Sequence, residues 1–110
     1  MRQTRQLLSE LYRIIISEKN IILKKENWEL LWQPFIKTSA DATSKEYYGF
    51  GWAINELNGR KVIEHGGSNI GFRSFYARFV NDGLSIIIMT NTDEANPGAI
   101  ARALSEYYFR

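Results

Sequence analysis

The chain contains no cysteine, which excludes disulfide frameworks, thiolate nucleophiles and cysteine-based metal sites and leaves the redox compartment unread. It contains one histidine, His65, so a His-rich metal site is excluded as well, and no metal or other cofactor is expected. Charge of one sign is also lacking. Fourteen Lys and Arg against twelve Asp and Glu leave a net +2, too weak and too scattered to imply a nucleic-acid or membrane surface. Long apolar runs are missing: Leu84 to Met89, interrupted by Ser85, and Ile14 to Ile16 are too short to span a bilayer. The first residues, MRQTRQLLSE, lack the apolar stretch of a signal peptide. The expectation is a soluble chain with no nucleic-acid or membrane partner. At 110 residues and 45% apolar composition it has material for one core, hence one domain over 1–110.

What is present divides into helical and strand-like parts. Residues 4–16 place Leu7, Leu8, Leu11, Ile14 and Ile15 on one apolar face, which predicts an amphipathic helix. A shorter helix is expected through Lys25 to Gln33, with Trp28, Leu31 and Trp32 facing a core and Pro34 ending it. Residues 1–36 thus form a helical segment, and the small, polar, aperiodic stretch 37–46 reads as a surface loop. From 47 to 96 the pattern becomes strands: YYGFGWAINEL, RKVIEH, FRSFYARFV and LSIIIMTN. They are separated by Asn58-Gly59, a glycine-rich stretch and Asn81-Asp82-Gly83, and Asn-Gly and Asp-Gly suit two-residue hairpin turns in which both central residues adopt positive φ. Ser85 to Met89 is continuously apolar, which predicts cover on both faces. In the last segment, 97–110, Pro97 fits the first helical position and Asn96 the cap, while Ile100, Ala103, Leu104, Tyr107 and Tyr108 recur at helical spacing. The fold class is α+β, an antiparallel sheet of three to four strands packed by a C-terminal helix and by the N-terminal helices.

The stretch richest in chemistry is IEHGGSNIGF, Ile63 to Phe72. A titratable imidazole ends a strand, and two residues without side chains follow, so a ligand can approach the backbone closely. The same letters also fit a tight turn beside a histidine with a satisfied hydrogen bond.

Taken together, the YGFGW strand, the hairpin after it, the His65-Gly66-Gly67 triplet, the following GF strand, the apolar strand ending in Asn91 and the helix opening at Asn96-Pro97 occur in an order that resembles a known family. It is the C-terminal part of the serine β-lactamase and penicillin-binding superfamily, especially class C β-lactamases and the esterase-like branch. The likeness covers nearly the whole chain but only the last third or so of the family domain. It implies a partial β-lactamase/transpeptidase-like fold. It implies further that His65-Gly66-Gly67 is the family's third motif, on the strand that walls the active site, with Gly66 and Gly67 lining the substrate. His65 would help proton transfer or hold a substrate carboxylate. Ser68 would lend its backbone N–H to an oxyanion hole, and Asn96 would lie near a substrate carboxylate, though a helix cap explains it equally well.

Two family motifs are missing. No Ser or Thr is followed three residues later by Lys, so the Ser-x-x-Lys nucleophile is absent, and neither Tyr-x-Asn nor Ser-x-Asn occurs. No other triad can be assembled around the single His65, and strand alternation turns Glu64 to the opposite face. The chain alone is therefore expected to be inactive. One reading makes it a C-terminal fragment of a serine hydrolase acting on a small-molecule β-lactam, ester or D-amino-acid peptide. The family is commonly extracytoplasmic. The alternative is a non-catalytic, self-associating or protein-binding module on the same half-fold. A half-sheet leaves an unpaired edge, so self-association or a missing N-terminal portion is expected, through the YGFGW or the GFRSFYARF segment.

Overall fold

The computed structural model describes residues 23–41 and 43–110. The helix expected over 4–16 lies outside the described residues. The chain separates into two compact units, Met1–Leu30 and Leu31–Arg110. Of the first, the described part is the last eight residues, which open helix α1, Lys25–Leu31. Lys24 O accepts from Asn27 N (2.9 Å) and Trp28 N (3.2 Å), and an exposed Lys25–Glu29 pair (3.8 Å) spans one turn. The helix stops two residues before the expected Gln33, because the residue before Pro34 is pushed out of the helical region. Trp28, Leu31 and Trp32 are half-buried; no residue of α1 reaches the buried class expected of them.

The second unit is built on a six-stranded antiparallel sheet in which each strand pairs with the next in sequence. The strands are β1 Ile36–Lys37, β2 Tyr47–Tyr48, β3 Ala53–Leu57, β4 Arg60–Asn69, β5 Phe72–Phe79 and β6 Leu84–Thr90. Helix α2, Pro97–Tyr108, packs across β6 and β5. The class is α+β as expected, but the sheet has six strands rather than three to four. The extra two come from Ile36-Lys37, expected to close a helical segment and open a loop, and from YYGFGWAINEL, expected to be one strand.

That segment folds back on itself as the β2–β3 hairpin, Tyr48 opposite Ala53, with Gly49 N donating to Trp52 O at 2.8 Å. Glycine is required at two points of it. A Cβ on Gly49 would lie 2.8 Å from the carbonyl oxygens of both Leu31 and Gln33, and Gly51 has φ 77°. Residues 38–41 and 43–46 lie at the tip of the β1–β2 pair, where Thr38 N donates to Glu46 O (3.1 Å). There the Thr43 amide (2.9 Å) and hydroxyl (2.8 Å) both donate to Asp41 Oδ1; these bonds, the amide's first, hold the Asp41 carboxyl below its ordinary pKa.

Asn58-Gly59 forms the expected turn, both residues having positive φ (51° and 78°). The Asp-Gly turn differs. Phe79 pairs with Leu84, so the connection has four residues, and of these Gly83 has positive φ (67°) while Asp82 does not. Arg60 is ion-paired with Asp82 and stacks on Phe109, 3.9 Å from the ring centre.

Pairing assigns the two faces of the sheet, because directly opposed residues point the same way. Val62, Ala77, Phe79 and Ile86 face α2 and bury with its Ala101; Leu57, Phe75, Leu84, Ile88 and Phe109 pack around them. α2 meets the sheet through small residues, Pro97, Gly98, Ala101 and Ser105, which let its backbone come close. The stripe expected to cover the sheet turns elsewhere: Ile100, Leu104, Tyr107 and Tyr108 are all exposed. On the other face Ile54 and Ile63 are buried, but Ile87 and Met89 are exposed, so among the described residues β6 is covered on one face and not on both.

Phe79, 2% exposed and edge-on to Phe109 at 5.2 Å, is the largest fully buried side chain. Phe79→Ala should lower the unfolding free energy by about 3–5 kcal/mol in urea titration. Ile70→Ala, at a 91% exposed position, should change it by less than about 0.5 kcal/mol.

Candidate functional site

β4 has two dissimilar halves. From Val62 to Glu64 it is paired on both sides, by β3 and by β5; from His65 to Asn69, among the described residues, it is paired with β5 alone. The cause is the glycine hairpin at Gly49–Trp52, which carries the chain away from β4 beyond the Ala53–Glu64 pair. The triplet His65-Gly66-Gly67 is therefore neither a turn nor a strand end. It lies inside a ten-residue strand that runs to Asn69, past the His65 at which the sequence pattern stops it, and the turn is Ile70-Gly71, with Gly71 at φ 78°.

Nothing in the fold demands glycine at Gly66. Its φ is not in the left-handed region, and an added Cβ would make ordinary contacts, 3.8 Å to Phe75 Cδ2 and 3.9 Å to Ser74 O. Gly67 is likewise outside the left-handed region, and its Cβ would meet Ser74 Oγ, the end of a side chain that can rotate away. Two glycines in a strand interior weaken it; such glycines mark a place where another chain or ligand approaches the backbone.

Beside this half-strand lies a cavity of about 480 Å³, lined by Gly66, Gly67, Ser68, Asn96 and two arginines, Arg73 and Arg102, among others. Its rim is tied together. Both Asp93 carboxylate oxygens accept from Gly71 N at 3.0 Å, and Arg73 Nη1 donates to Ala95 O at 3.5 Å, strapping the chain before α2 to the β4–β5 turn. Asn96 caps α2, its Oδ1 accepting from Ala99 N at 3.1 Å. Arg102 lies 3.7 Å from Glu64, which is 4% exposed and also accepts from Asn55 Nδ2. A buried carboxylate is thereby paired, and the wall strand is anchored to the helix.

Of the expected residues, Gly66, Gly67, Ser68 and Asn96 converge on one cavity. His65 does not. Its register partner is Tyr76, so it stands on the opposite face of the sheet, exposed, with Trp52 edge-on at 6.5 Å and Trp52 in turn 5.5 Å from Tyr76. Glu64, as alternation requires, faces away from it. Arg73 and Arg102 were not singled out by sequence reasoning. Neither carries a spacing signal; Arg102 is marked only by its approach to Glu64 across the sheet. Among the described residues no group of three acidic or histidine side chains could hold a metal ion, and no helix is long and apolar enough to cross a membrane.

No protein-family model matches the sequence, and no curated protein does. Among solved structures the chain is similar to the octameric penicillin-binding protein homologue from Pyrococcus abyssi, with a TM-score of 0.71 and 24% identity over 90% of this chain. The match covers 23% of that protein. The likeness is one of fold: this chain has the architecture of part of a penicillin-binding-protein-like structure.

The glycine argument has a direct check. Gly66→Ala should leave the urea midpoint unchanged or raise it slightly, since alanine costs less in a strand by about 0.5–1 kcal/mol. Gly49→Ala, whose Cβ meets two carbonyl oxygens, should lower stability by about 1–3 kcal/mol.

Proposed function

We propose that this chain is the C-terminal part of a β-lactamase-related serine hydrolase, supplying one wall of an acyl-transfer site and half of its oxyanion hole but not the nucleophile. The observation that carries the reading is the open, glycine-lined half of β4, where strand conformation is kept and no internal contact requires glycine at Gly66. A substrate amide, ester or β-lactam lies along Gly66 and Gly67, and Ser68 contributes its backbone N–H to the developing oxyanion. Asn96, engaged through Oδ1 as a cap, borders the same cavity and meets the substrate's polar end. His65 acts from over the strand edge, beside Trp52, rather than from within the cavity. The serine and its activating lysine come from a portion of polypeptide outside these 110 residues. The penicillin-binding-protein-like fold and the order of motifs along the chain support this assignment.

A second reading, a self-associating module without catalysis, is favoured by the absent Ser-x-x-Lys and by the octameric state of the structural neighbour. The two are compatible, since a half-site can be completed by another chain.

The test is to add benzylpenicillin to the ¹⁵N-labelled chain and follow amide shifts while recording intact mass. The expected result is shifts concentrated at Gly66, Gly67 and Ser68, lost in Gly66→Val, and no covalent adduct. An adduct would refute the claim that the chain lacks a nucleophile. Shifts elsewhere, or none at these amides, would refute the wall.

A further inference from the structure

The sheet ends in two edges of opposite character. At β1 and β2 the strands are two residues long, with Lys37 in β1 and Lys45 and Glu46 just before β2, a short and charged edge of the kind that resists pairing. At β6 the edge strand is seven residues, LSIIIMT, with no charge, proline or glycine. Among the described residues it pairs with β5 alone. The segments expected to provide the open edge do not: β5, which holds FRSFYARF, is paired with β4 over its whole length and with β6 from Arg73 to Phe79, and YGFGW forms the β2–β3 turn. An unpaired row of strand N–H and C=O groups is complementary to another strand, so its occupant must present one.

The helix extends this surface. With 100° between successive residues, Arg102 lies on one flank of α2's small buried face and Ile100, Leu104 and Tyr107 on the other. Arg102 reaches Glu64 on β4, which fixes its flank toward the middle of the sheet. The apolar flank therefore points toward the β6 edge, and Ile100, Leu104 and Tyr107 are 42%, 47% and 74% exposed there. Strand edge and helix flank thus adjoin as one strip, with the exposed Ile87 and Met89 of β6 pointing to the sheet face away from α2.

We infer that this strip is a self-association surface, occupied by the same strip of a second copy across a two-fold axis, with β6 pairing antiparallel to its counterpart and the α2 flanks adjoining. An isologous contact sets each residue near itself or a close neighbour, so any charge near the axis would meet its like. The strip meets that condition: β6 contains no acidic or basic residue, and Ile100, Leu104 and Tyr107 add none. Antiparallel pairing of identical strands is symmetric about Ile87, the midpoint of Leu84–Thr90. The inference rests on self-association as proposed above and assigns its location.

The test uses the full chain, whose lack of native cysteine makes single-cysteine reporters unambiguous. Sedimentation should show a dimer that dissociates on dilution. Ile87→Lys and Met89→Lys, at exposed positions, should each weaken it at least about tenfold with circular dichroism unchanged. Ile87→Cys should cross-link to a homodimer under mild oxidation, and Asn58→Cys, on the distant β3–β4 turn, should not. A dimer that survives both lysine variants, or cross-links at position 58 and not at 87, would overturn the location while leaving self-association standing. A chain monomeric at all concentrations would overturn both, and would assign the strip to a different segment of polypeptide.

Discussion

The pairing of β3 with β4 stops at Ala53–Glu64, and most of what distinguishes this molecule follows from that limit. Before it, β4 is an interior strand with Val62, Ile63 and Glu64 buried; after it, five residues are exposed and, among the described residues, one side of the backbone is open. The stop is set at two glycines: a side chain on Gly49 would strike the carbonyls of Leu31 and Gln33, and Gly51 turns the chain with a positive φ. A site is thus made by ending an interaction and not by adding one.

An open strand is useful as a template only if it is held still. Three attachments do this from different directions. β5 pairs with β4 to its last residue; Asp93 and Arg73 bind the segment before α2 to the β4–β5 turn; and Glu64, buried beneath the strand, meets Arg102 of α2. The last of these joins wall and helix through a charge that would be costly to leave alone. The small residues of α2 let the helix approach close enough for that contact, and their placement is also what turns Ile100 and Leu104 outward. Packing at the site and exposure at the opposite edge are therefore consequences of one helix orientation.

Much of this was legible in the sequence. The α+β class, the Asn58-Gly59 turn, the Asn96-Pro97 helix start and the antiparallel meander follow from local chemistry that tertiary structure did not override. Periodicity was misleading where a residue's role depends on distant atoms. YGFGW alternates like a strand, but the carbonyls that force it to turn lie at Leu31 and Gln33, far off in sequence. His65-Gly66-Gly67 looks like a strand end because glycine usually interrupts strands; here β5 supplies partners through Asn69. The apolar stripe of α2 was read as its packing face because large residues usually bury, whereas the small ones do. Gly66, Gly67, Ser68 and Asn96 could be grouped from the sequence because the resemblance supplies their order. Register alone separates them from His65, and no spacing rule indicates that Arg73 and Arg102 border the same cavity.

Amide hydrogen exchange along β4 tests the central claim most directly. If β3 leaves the strand at Glu64, the amides of residues 62–64 are protected without interruption, whereas residues 65–69 alternate, those directed to β5 slow and those directed to the open side exchanging almost as fast as in an unstructured peptide. Continuous protection from 62 to 69 would mean that the edge is already filled, and would contradict the account of an open, glycine-lined wall.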